Sequence, residues 1–309
     1  MGENYGLPYT GSKSRIAHWV IDNLPRGRVL IDAFAGGCAI THRALLSQKW
    51  QTIIANDINR KYPQLFLDAV RGKYRDERRW ISREDFERLK SQDAFVACCW
   101  SFGNNLRNYM YSQAIEPYKR ALHYAIVFDD FAPMQELMPE VAQAVHEAIH
   151  WIRNTHDRRI TAQNVIVKTL KRLTGDNYEH QITQSNPLHR SIRHSKKDAQ
   201  SLERLQSLER LRVTSLSYNK IDIPEDAVVY CDPPYHASDN MLYEGTADAF
   251  DHCTFYDWCV RVSKTNPIFI SEYSIKDDRF EIVAEKQKLT CFSSAKSVNV
   301  TERLYTVKK

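Results

Sequence analysis

Long apolar segments are missing from this sequence of 309 residues. No run of about 18 apolar residues, the length that a membrane-spanning helix needs, occurs anywhere. The first ten residues also lack the basic and apolar regions of a secretory signal peptide. We therefore expect a cytoplasmic protein that does not bind membranes.

Metal-binding and disulfide patterns are absent as well. The seven cysteines are odd in number and form no CxxC pair, which argues against a disulfide framework and a structural zinc site. Among the eleven histidines, His146 and His150 have helical i, i+4 spacing but no clear third ligand. The sequence predicts no metal site.

Positive charge is concentrated in one segment. Residues 151–212 hold 13 Lys and Arg against 6 Asp and Glu, so a surplus of 7 leaves the remainder of a chain of net charge +5 at −2. Such a basic segment indicates an anionic partner, with nucleic acid first. A solvated helical face is the alternative interpretation.

Both ends of the chain have the pattern of an α/β fold. The apolar run 28–32 is followed by a double glycine, a helical stretch and a second apolar run at 51–55, which together predict a βαβ unit. Apolar runs return at 211–217, 227–231 and 267–271, and residues 303–307 alternate like an antiparallel edge strand.

The middle of the chain is predicted to be helical, with helical spacing of apolar residues at 131–151 and 160–173 and a short helix at 201–211. The predicted architecture is a Rossmann-like α/β domain formed by residues 1–60 and 213–309. A mainly helical domain, residues 61–212, is inserted into it. No obligate protein partner is predicted, and we expect a monomer.

The motif Asp232-Pro233-Pro234-Tyr235 directly follows the apolar strand 228–231. Two prolines cannot continue a central strand, so the motif is predicted to lie just past the strand's carboxyl end, where open α/β sheets bind ligands. An ordinary turn is the alternative interpretation.

This motif suits transfer to an exocyclic amine such as N6 of adenine, whose lone pair is delocalised into the ring. Asp232 and the carbonyl of Pro233 can each accept one N6 hydrogen, which frees the lone pair for attack on a methyl group. Tyr235 can stack on the purine. Positioning and fixed dipoles would supply most of the catalysis.

A glycine turn, Phe34-Ala35-Gly36-Gly37, follows the first strand, and Asp57 ends the second. Glycines allow close backbone approach to a ligand, and an acid at that edge suits ribose hydroxyls. Asp32 either contributes to this site or only caps the turn. The GxGxxG pattern of dinucleotide-binding dehydrogenases is missing.

These motifs resemble the Dam-like (D12 class) family of DNA adenine-N6 methyltransferases, including members found in phages. The matching segments, in the family's order, are residues 10–13 (Thr-Gly-Ser-Lys), 32–37, 56–57 and 232–235, with further likeness at 101–105 and 269–273. A second glycine is more common where this chain has Ser12.

The resemblance implies S-adenosylmethionine as cofactor, with S-adenosylhomocysteine as product, and double-stranded DNA as substrate. Residues 232–235 would hold the adenine. The residues that the resemblance implies for cofactor binding are Tyr9, Lys13, Asp32, Phe34, Ala35, Gly36, Gly37, Asp57, Ser217 and Tyr218.

Methylation of a base edge in a duplex requires that the base be flipped out, with phosphate contacts to support it. The candidate DNA-binding residues of the insert are Asn104, Asn105, Arg107, Asn108, Tyr109, Lys119, Lys171, Arg172, Lys196 and Lys197. Two alternatives remain open: an amino methyltransferase acting on cytosine N4, RNA or a glutamine amide, and a non-catalytic DNA-binding protein of the same fold.

Overall fold

The computed structural model describes residues 5–9, 11–174, 208–235, 250–291 and 297–309. The chain forms two compact units. Unit 1 comprises Met1–Asp68 and Ser201–Lys309, and unit 2 comprises Ala69–Gln200. These bounds differ from the predicted 60 and 213 because most of the helix after residue 60, and the whole strand that begins at Leu211, belong to unit 1.

Unit 1 contains a sheet of seven strands within the described residues. The strands are β1 (Gly27–Asp32), β2 (Trp50–Asn56), β3 (Leu211–Thr214), β4 (Val228–Cys231), β5 (Ile268–Glu272), β6 (Phe280–Cys291) and β7 (Ser297–Val307). Their order is β3-β2-β1-β4-β5-β7-β6. The first five are parallel, whereas β7 runs antiparallel to both of its neighbours, β5 and β6.

The central strands are buried on both faces. All four residues of β4 and all five of β5 are buried, as expected for continuous apolar runs in a parallel sheet covered on both sides. Val229, Phe255 and Ile268 belong to one hydrophobic core cluster in this part of the unit. The fold is a Rossmann-like α/β fold, as the sequence predicts.

Strand order reverses between β1 and β4, since β2 and β3 follow β1 on one side and β5 follows β4 on the other. Asp32 of β1 is in register with Tyr230 of β4. In open α/β sheets the carboxyl ends of strands at such a switch point are where ligands bind. The loops that leave β1 and β4 therefore lie at the expected ligand-binding edge.

Among the described residues of unit 1, four α-helices flank these strands: α1 (Ala17–Asn23), α2 (Ala39–Ser47), α3 (Lys61–Val70) and α10 (His252–Val262). The helix α10 starts at an N-cap, because the Asp251 carboxylate accepts a hydrogen bond of 3.0 Å from Thr254 N–H. The helix α3 belongs to unit 1 through contacts such as the edge-on packing of Tyr62 against Tyr9, with ring centroids 5.0 Å apart.

Unit 2 is helical. Its α-helices are α4 (Arg83–Leu89), α5 (Ala94–Cys99), α6 (Glu116–His123), α7 (Ala132–Leu137), α8 (Pro139–Ile149) and α9 (Thr155–Thr174). The predicted helix 131–151 is split at Met138, because Pro139 cannot continue α7 and instead begins α8. Most of the short helix predicted at 201–211 lies outside the described residues.

The prediction for the carboxyl-terminal strand was wrong in one respect. β7 is antiparallel but not an edge strand, because β6 pairs with it along most of its length and takes the edge position. None of the described helices combines the length and the apolar character needed to cross a membrane.

Candidate active site

The amino-terminal segment is fastened to α2 and the glycine turn of unit 1. Leu7 N–H donates to the carbonyl of Gly37 at 2.7 Å, and Gly6 N–H donates to Nδ1 of His42 at 3.0 Å. Ser12 then caps a short 3₁₀ turn, Lys13–Arg15, by accepting a hydrogen bond from Ser14 N–H. Serine suits this position because its φ of −54° needs no glycine and its hydroxyl serves as the cap.

The 3₁₀ turn places the side chain of Lys13 next to the Asp-Pro-Pro-Tyr motif at the end of β4. Lys13 Nζ lies 2.6 Å from Oδ1 of Asp232, and the Lys13 side chain is almost fully buried. Asp232 is 18% exposed. An ion pair this close, with little water around it, holds the carboxylate in a fixed orientation. The structure thus brings together Lys13 and Asp232, which the sequence separates by more than 200 residues.

A third charged group, Glu302 of β7, was not anticipated from the sequence. Its side chain is fully buried, and one of its oxygens lies 3.8 Å from Lys13 Nζ. The same oxygen accepts the hydroxyl hydrogen of Tyr235. A lone glutamate in an alternating strand carries no signal of its own, which explains why sequence reasoning missed it.

Tyr235 is enclosed by the other members of this site. Lys13 Nζ lies 4.5 Å from the centroid of the Tyr235 ring, a cation–π distance, and Tyr273 packs edge-to-face with it at 4.6 Å. Burial, with the nearby Asp232 and Glu302 carboxylates, raises the pKa of Tyr235 well above its usual value. The phenol therefore stays neutral and acts as a hydrogen-bond donor.

The prolines of the motif are held by the loop that leads into α10. Pro233 is buried and Pro234 half-buried. Nε2 of His252 donates to the carbonyl of Pro234 at 2.9 Å, since a carbonyl oxygen can only accept. This bond attaches the motif to the start of α10 and limits its freedom to move.

The glycine turn after β1 is covered by the amino-terminal segment. A Cβ placed on Gly37 would lie 2.7 Å from Cβ of Tyr9, so only glycine permits the observed contact. Gly36 adopts a positive φ of +45°, and Ala35 is buried beside it. Glycine is therefore required at position 37 because of the contact with Tyr9. The sequence had indicated only the close approach of a ligand as the reason for glycines in this turn.

The two acidic residues at this edge of the sheet differ in role. Asp32 is buried, and its carboxylate accepts hydrogen bonds from the amide and the hydroxyl of Thr41 in the first turn of α2. Burial raises the pKa of Asp32 to about 7. Asp32 thus binds the first turn of α2, as the interpretation of this residue as a cap expects, and its part in cofactor binding stays a prediction.

Asp57 lies closer to the surface. One carboxylate oxygen accepts Gly36 N–H at 2.8 Å, and the other accepts Asn59 N–H at 2.8 Å. Burial raises the pKa of Asp57 from its usual value. Each oxygen keeps a further lone pair, so the carboxylate can still accept hydrogens from a diol.

Aromatic rings gather next to the glycine turn. Phe34 stacks on Tyr218 with ring centroids 5.7 Å apart, and Phe250 packs against both rings. Phe34, Tyr218, Ser217 and Phe250 are only partly buried. Phe34 and Tyr218 were predicted from the sequence, whereas Phe250 was not, because it stands alone before α10 without a motif around it.

In unit 2 the loop 101–108 is shaped by its own side chains. Asn105 Oδ1 accepts the amides of Arg107 and Asn108, and Asn104 Nδ2 donates to the carbonyl of Cys98. Asn108 is exposed and Arg107 half-buried. Phe102, not selected from the sequence, is 66% exposed at the start of this loop.

Two predicted DNA-binding residues lie inside unit 2. Tyr109 is buried and donates its hydroxyl hydrogen to the carbonyl of Ile81, and Lys119 is buried over the ring of Tyr111. A DNA contact through either residue would require the interior of unit 2 to open. Arg172 is exposed on α9, whereas the Lys171 side chain, Lys196 and Lys197 lie outside the described residues.

No cluster of three or more His, Cys, Asp or Glu side chains arranged to hold a metal occurs among the described residues. The strand order and the loops after β1 and β4 are those of a Rossmann-like methyltransferase fold. A charged cluster, formed by Lys13, Asp232 and Glu302, lies at the switch point of the sheet.

The sequence identifies the family within that class. Residues 9–288 match the model of the D12 class N6 adenine-specific DNA methyltransferases. Since the match spans most of the chain, the protein belongs to this family and is a DNA adenine methyltransferase. No curated protein matches the sequence.

Among solved structures, the rRNA methyltransferase aviRa from Streptomyces viridochromogenes is similar at 9% sequence identity. The match covers 95% of this chain and 82% of that one, with a TM-score of 0.36.

Proposed function

We propose that this DNA adenine methyltransferase is site-specific, takes its methyl group from S-adenosylmethionine, and acts on an adenine flipped out of double-stranded DNA. The observation that carries the proposal is the convergence of Lys13, Asp232 and Tyr235 at the carboxyl end of β4, beside the glycine turn of β1. The family supplies the adenine-N6 chemistry.

The residues around the glycine turn fit the proposed cofactor. Asp57 offers carboxylate oxygens to the ribose hydroxyls, and the rings of Phe34, Tyr218 and Phe250 offer an apolar surface to the adenine of the cofactor. When bound, the sulfonium of S-adenosylmethionine supplies an activated methyl group. Asp32, Ala35, Gly36 and Gly37 contribute by shaping the turn rather than by offering side chains.

The motif after β4 would hold the target base. Asp232 accepts one N6 hydrogen and the Pro233 carbonyl accepts the other, so the N6 lone pair is free to form the new bond to carbon. The bound sulfonium would supply the methyl group and would leave as a neutral thioether, and N6 would release one proton to solvent. Lys13 orients the Asp232 carboxylate, and the Tyr235 ring would stack on the purine.

Unit 2 is proposed to bind the DNA. Its loop presents Phe102, Arg107 and Asn108 at the surface, and the basic segment 151–212 supplies charge for phosphates. An exposed ring such as Phe102 can wedge between bases when one base leaves the stack.

The test is transfer of labelled methyl from S-adenosylmethionine to duplex DNA, followed by digestion and identification of the modified base. We expect label on N6-methyladenine with the native protein and none with Asp232→Ala, whose folding is checked by its melting temperature. Label on cytosine, transfer to RNA alone, or full activity of Asp232→Ala would contradict the proposal.

A further inference from the structure

Glu302 occupies a position where a carboxylate is costly. It lies on β7, and the relative exposure of its side chain is 0%. Removing a carboxylate from water costs several kcal/mol unless nearby groups compensate, and an apolar residue of similar size often serves stability as well or better. Stability of β7 alone therefore does not account for a glutamate here.

Glu302 and its neighbour Arg303 point to opposite faces of the sheet, because successive side chains of a β-strand alternate. Arg303 is half-buried and pairs with the exposed Glu285 of β6, with Nε and Oε1 2.6 Å apart. Glu302 instead contacts two residues of the site at the end of β4: it accepts the Tyr235 hydroxyl and lies 3.8 Å from Lys13 Nζ.

These contacts restrain Tyr235 and Lys13, the residue that pairs with Asp232. A tyrosine ring held only by packing can slide in its plane, whereas a hydroxyl bound to a buried carboxylate fixes the far end of the ring. Lys13 lies between two carboxylates, 2.6 Å from Asp232 and 3.8 Å from Glu302. Glu302 thereby adds a second negative charge to a cluster that contains one ammonium.

A second carboxylate matters for the charge of the reaction. A sulfonium donor is cationic, its thioether product is neutral, and the attacking nitrogen becomes positive as its new bond to carbon forms. A fixed negative charge nearby stabilises both cationic partners in a buried site, where electrostatic interactions are strong.

We propose that Glu302 is a positioning residue for methyl transfer: it anchors the Tyr235 hydroxyl and the Lys13 ammonium, and its charge favours the cationic methyl donor over the neutral product. This inference rests on the proposed use of S-adenosylmethionine.

The test compares Glu302→Gln with Glu281→Gln, the same substitution at an exposed position of β6. Glutamine keeps an oxygen that can accept the Tyr235 hydroxyl but removes the charge. Calorimetry gives the dissociation constants of S-adenosylmethionine and S-adenosylhomocysteine, and single-turnover transfer at saturating ligand gives the rate constant. Melting temperatures of both variants identify any loss of folded protein.

For Glu302→Gln we expect the preference for the sulfonium over the thioether to fall about 3- to 10-fold, and the transfer rate constant about 10- to 100-fold. Glu281→Gln should leave both within about 2-fold, the usual scatter of neutral surface changes. A Glu302→Gln protein with native preference and native rate constant overturns the inference. Native protein that binds neither ligand overturns the proposed function and this inference with it.

Tyr235→Phe tests the anchor separately, should Glu302→Gln fold poorly. It keeps the ring and removes only the hydroxyl, so we expect the rate constant to fall about 10-fold with little change in cofactor binding. In the double variant with Glu302→Gln, the two losses should be less than additive, because the neutral amide weakens the hydrogen bond that Tyr235→Phe removes. Native rates in Tyr235→Phe, or fully additive losses, would show that the hydroxyl bond positions nothing.

Discussion

At the scale of single residues, the ion pair of Lys13 and Asp232 indicates that methyl transfer needs the negative charge of Asp232. An asparagine at position 232 keeps an oxygen that can accept the N6 hydrogen. However, the Lys13 ammonium lies 2.6 Å from Oδ1 and would then face a neutral amide. The negative charge that orients Lys13, and that offsets the positive charge developing on N6, would be gone.

We therefore expect Asp232→Asn to lower the transfer rate constant by about 100-fold or more. The measurement is single-turnover transfer at saturating S-adenosylmethionine and DNA, with cofactor affinity measured in parallel. If Asp232→Asn retained native activity, hydrogen-bond acceptance alone would suffice, and the ion pair would have no part in catalysis.

Asp32 gives a prediction about pH. Burial raises its pKa from 3.8 to about 7, so the folded protein binds this proton more tightly than the unfolded chain. Below the pKa of the unfolded chain the carboxyl is protonated in both states, so its ionisation does not affect stability. As pH rises from there towards 7, the unfolded chain releases the proton and the folded protein keeps it, so the free energy of unfolding falls.

We expect Asp32→Asn to remove this loss, because asparagine does not ionise. Between pH 5 and 7 the stability of Asp32→Asn relative to native protein should rise by about 2–3 kcal/mol, at 1.36 kcal/mol per pH unit. Urea denaturation across this range measures the difference, with the exposed Asp222→Asn as control. Parallel pH profiles of native protein and Asp32→Asn would rule out a raised pKa.

At the scale of elements, the glycine turn and the amino-terminal segment depend on each other. Gly37 lets the Cβ of Tyr9 approach, and Leu7 binds the Gly37 carbonyl. A methyl group at Gly37 would meet Tyr9 at 2.7 Å, far inside ordinary contact, so the segment must shift. Because the segment leads into the 3₁₀ turn of Lys13, such a shift also disturbs the ion pair with Asp232.

We expect Gly37→Ala to destabilise the protein by about 1–3 kcal/mol, the usual cost of overpacking, and to reduce methyl transfer. Adding Tyr9→Gly should recover part of the stability, because it removes the Cβ that clashes. Denaturation of the two single variants and the double variant measures this coupling. Strictly additive effects would mean that Tyr9 and Gly37 do not meet in solution.

The sequence predicted most of the sheet but not all of it. The parallel strands β1, β2, β4 and β5 contain apolar runs, and every residue of β4 and β5 is buried, so their positions could be predicted. β6 contains Glu285, Lys286 and Lys288 and resembles a surface segment. The place of β7 between two strands depends on pairing partners distant in sequence, which local patterns do not encode.

The candidate site was predictable where motifs carry it. Lys13 and residues 232–235 meet at the end of β4, and Asp57 follows β2 and binds the glycine turn, so these predicted residues lie at one edge of the sheet. Their roles stay predictions. Glu302 was not predictable, because its importance comes from contacts with Tyr235 and Lys13 rather than from its neighbours in sequence. Tyr109 and Lys119 were predicted to bind DNA from their residue types, yet both are buried in unit 2. Tyrosine and lysine side chains suit a DNA surface, but they also pack well inside an aromatic core.

At the scale of the whole molecule, the uneven charge predicts how the protein responds to salt. If the segment 151–212 binds phosphates, neutralising Lys171, Arg172, Lys196 and Lys197 to glutamine should reduce the slope of log affinity against log salt. On duplex DNA the reduction is about 0.9 for each phosphate that is no longer neutralised. Fluorescence anisotropy at several salt concentrations gives the slope.

The matched control neutralises four exposed basic residues of unit 1: Arg26, Arg28, Lys264 and Lys276. Their substitution removes the same total charge, so it separates direct phosphate binding from net charge. Equal slopes for both sets of variants would show that the basic segment is only a solvated surface.

The contact between Lys13 and Glu302 joins residues 289 positions apart in the sequence. At roughly 5–20 residues per second, a ribosome needs about 15–60 s to proceed from the first to the second. Throughout that interval the nascent chain can hold the glycine turn and α2, but not the strand that carries Glu302. Any chain released before residue 302 lacks the complete charged cluster, so the cluster can form only after β7 has been synthesised.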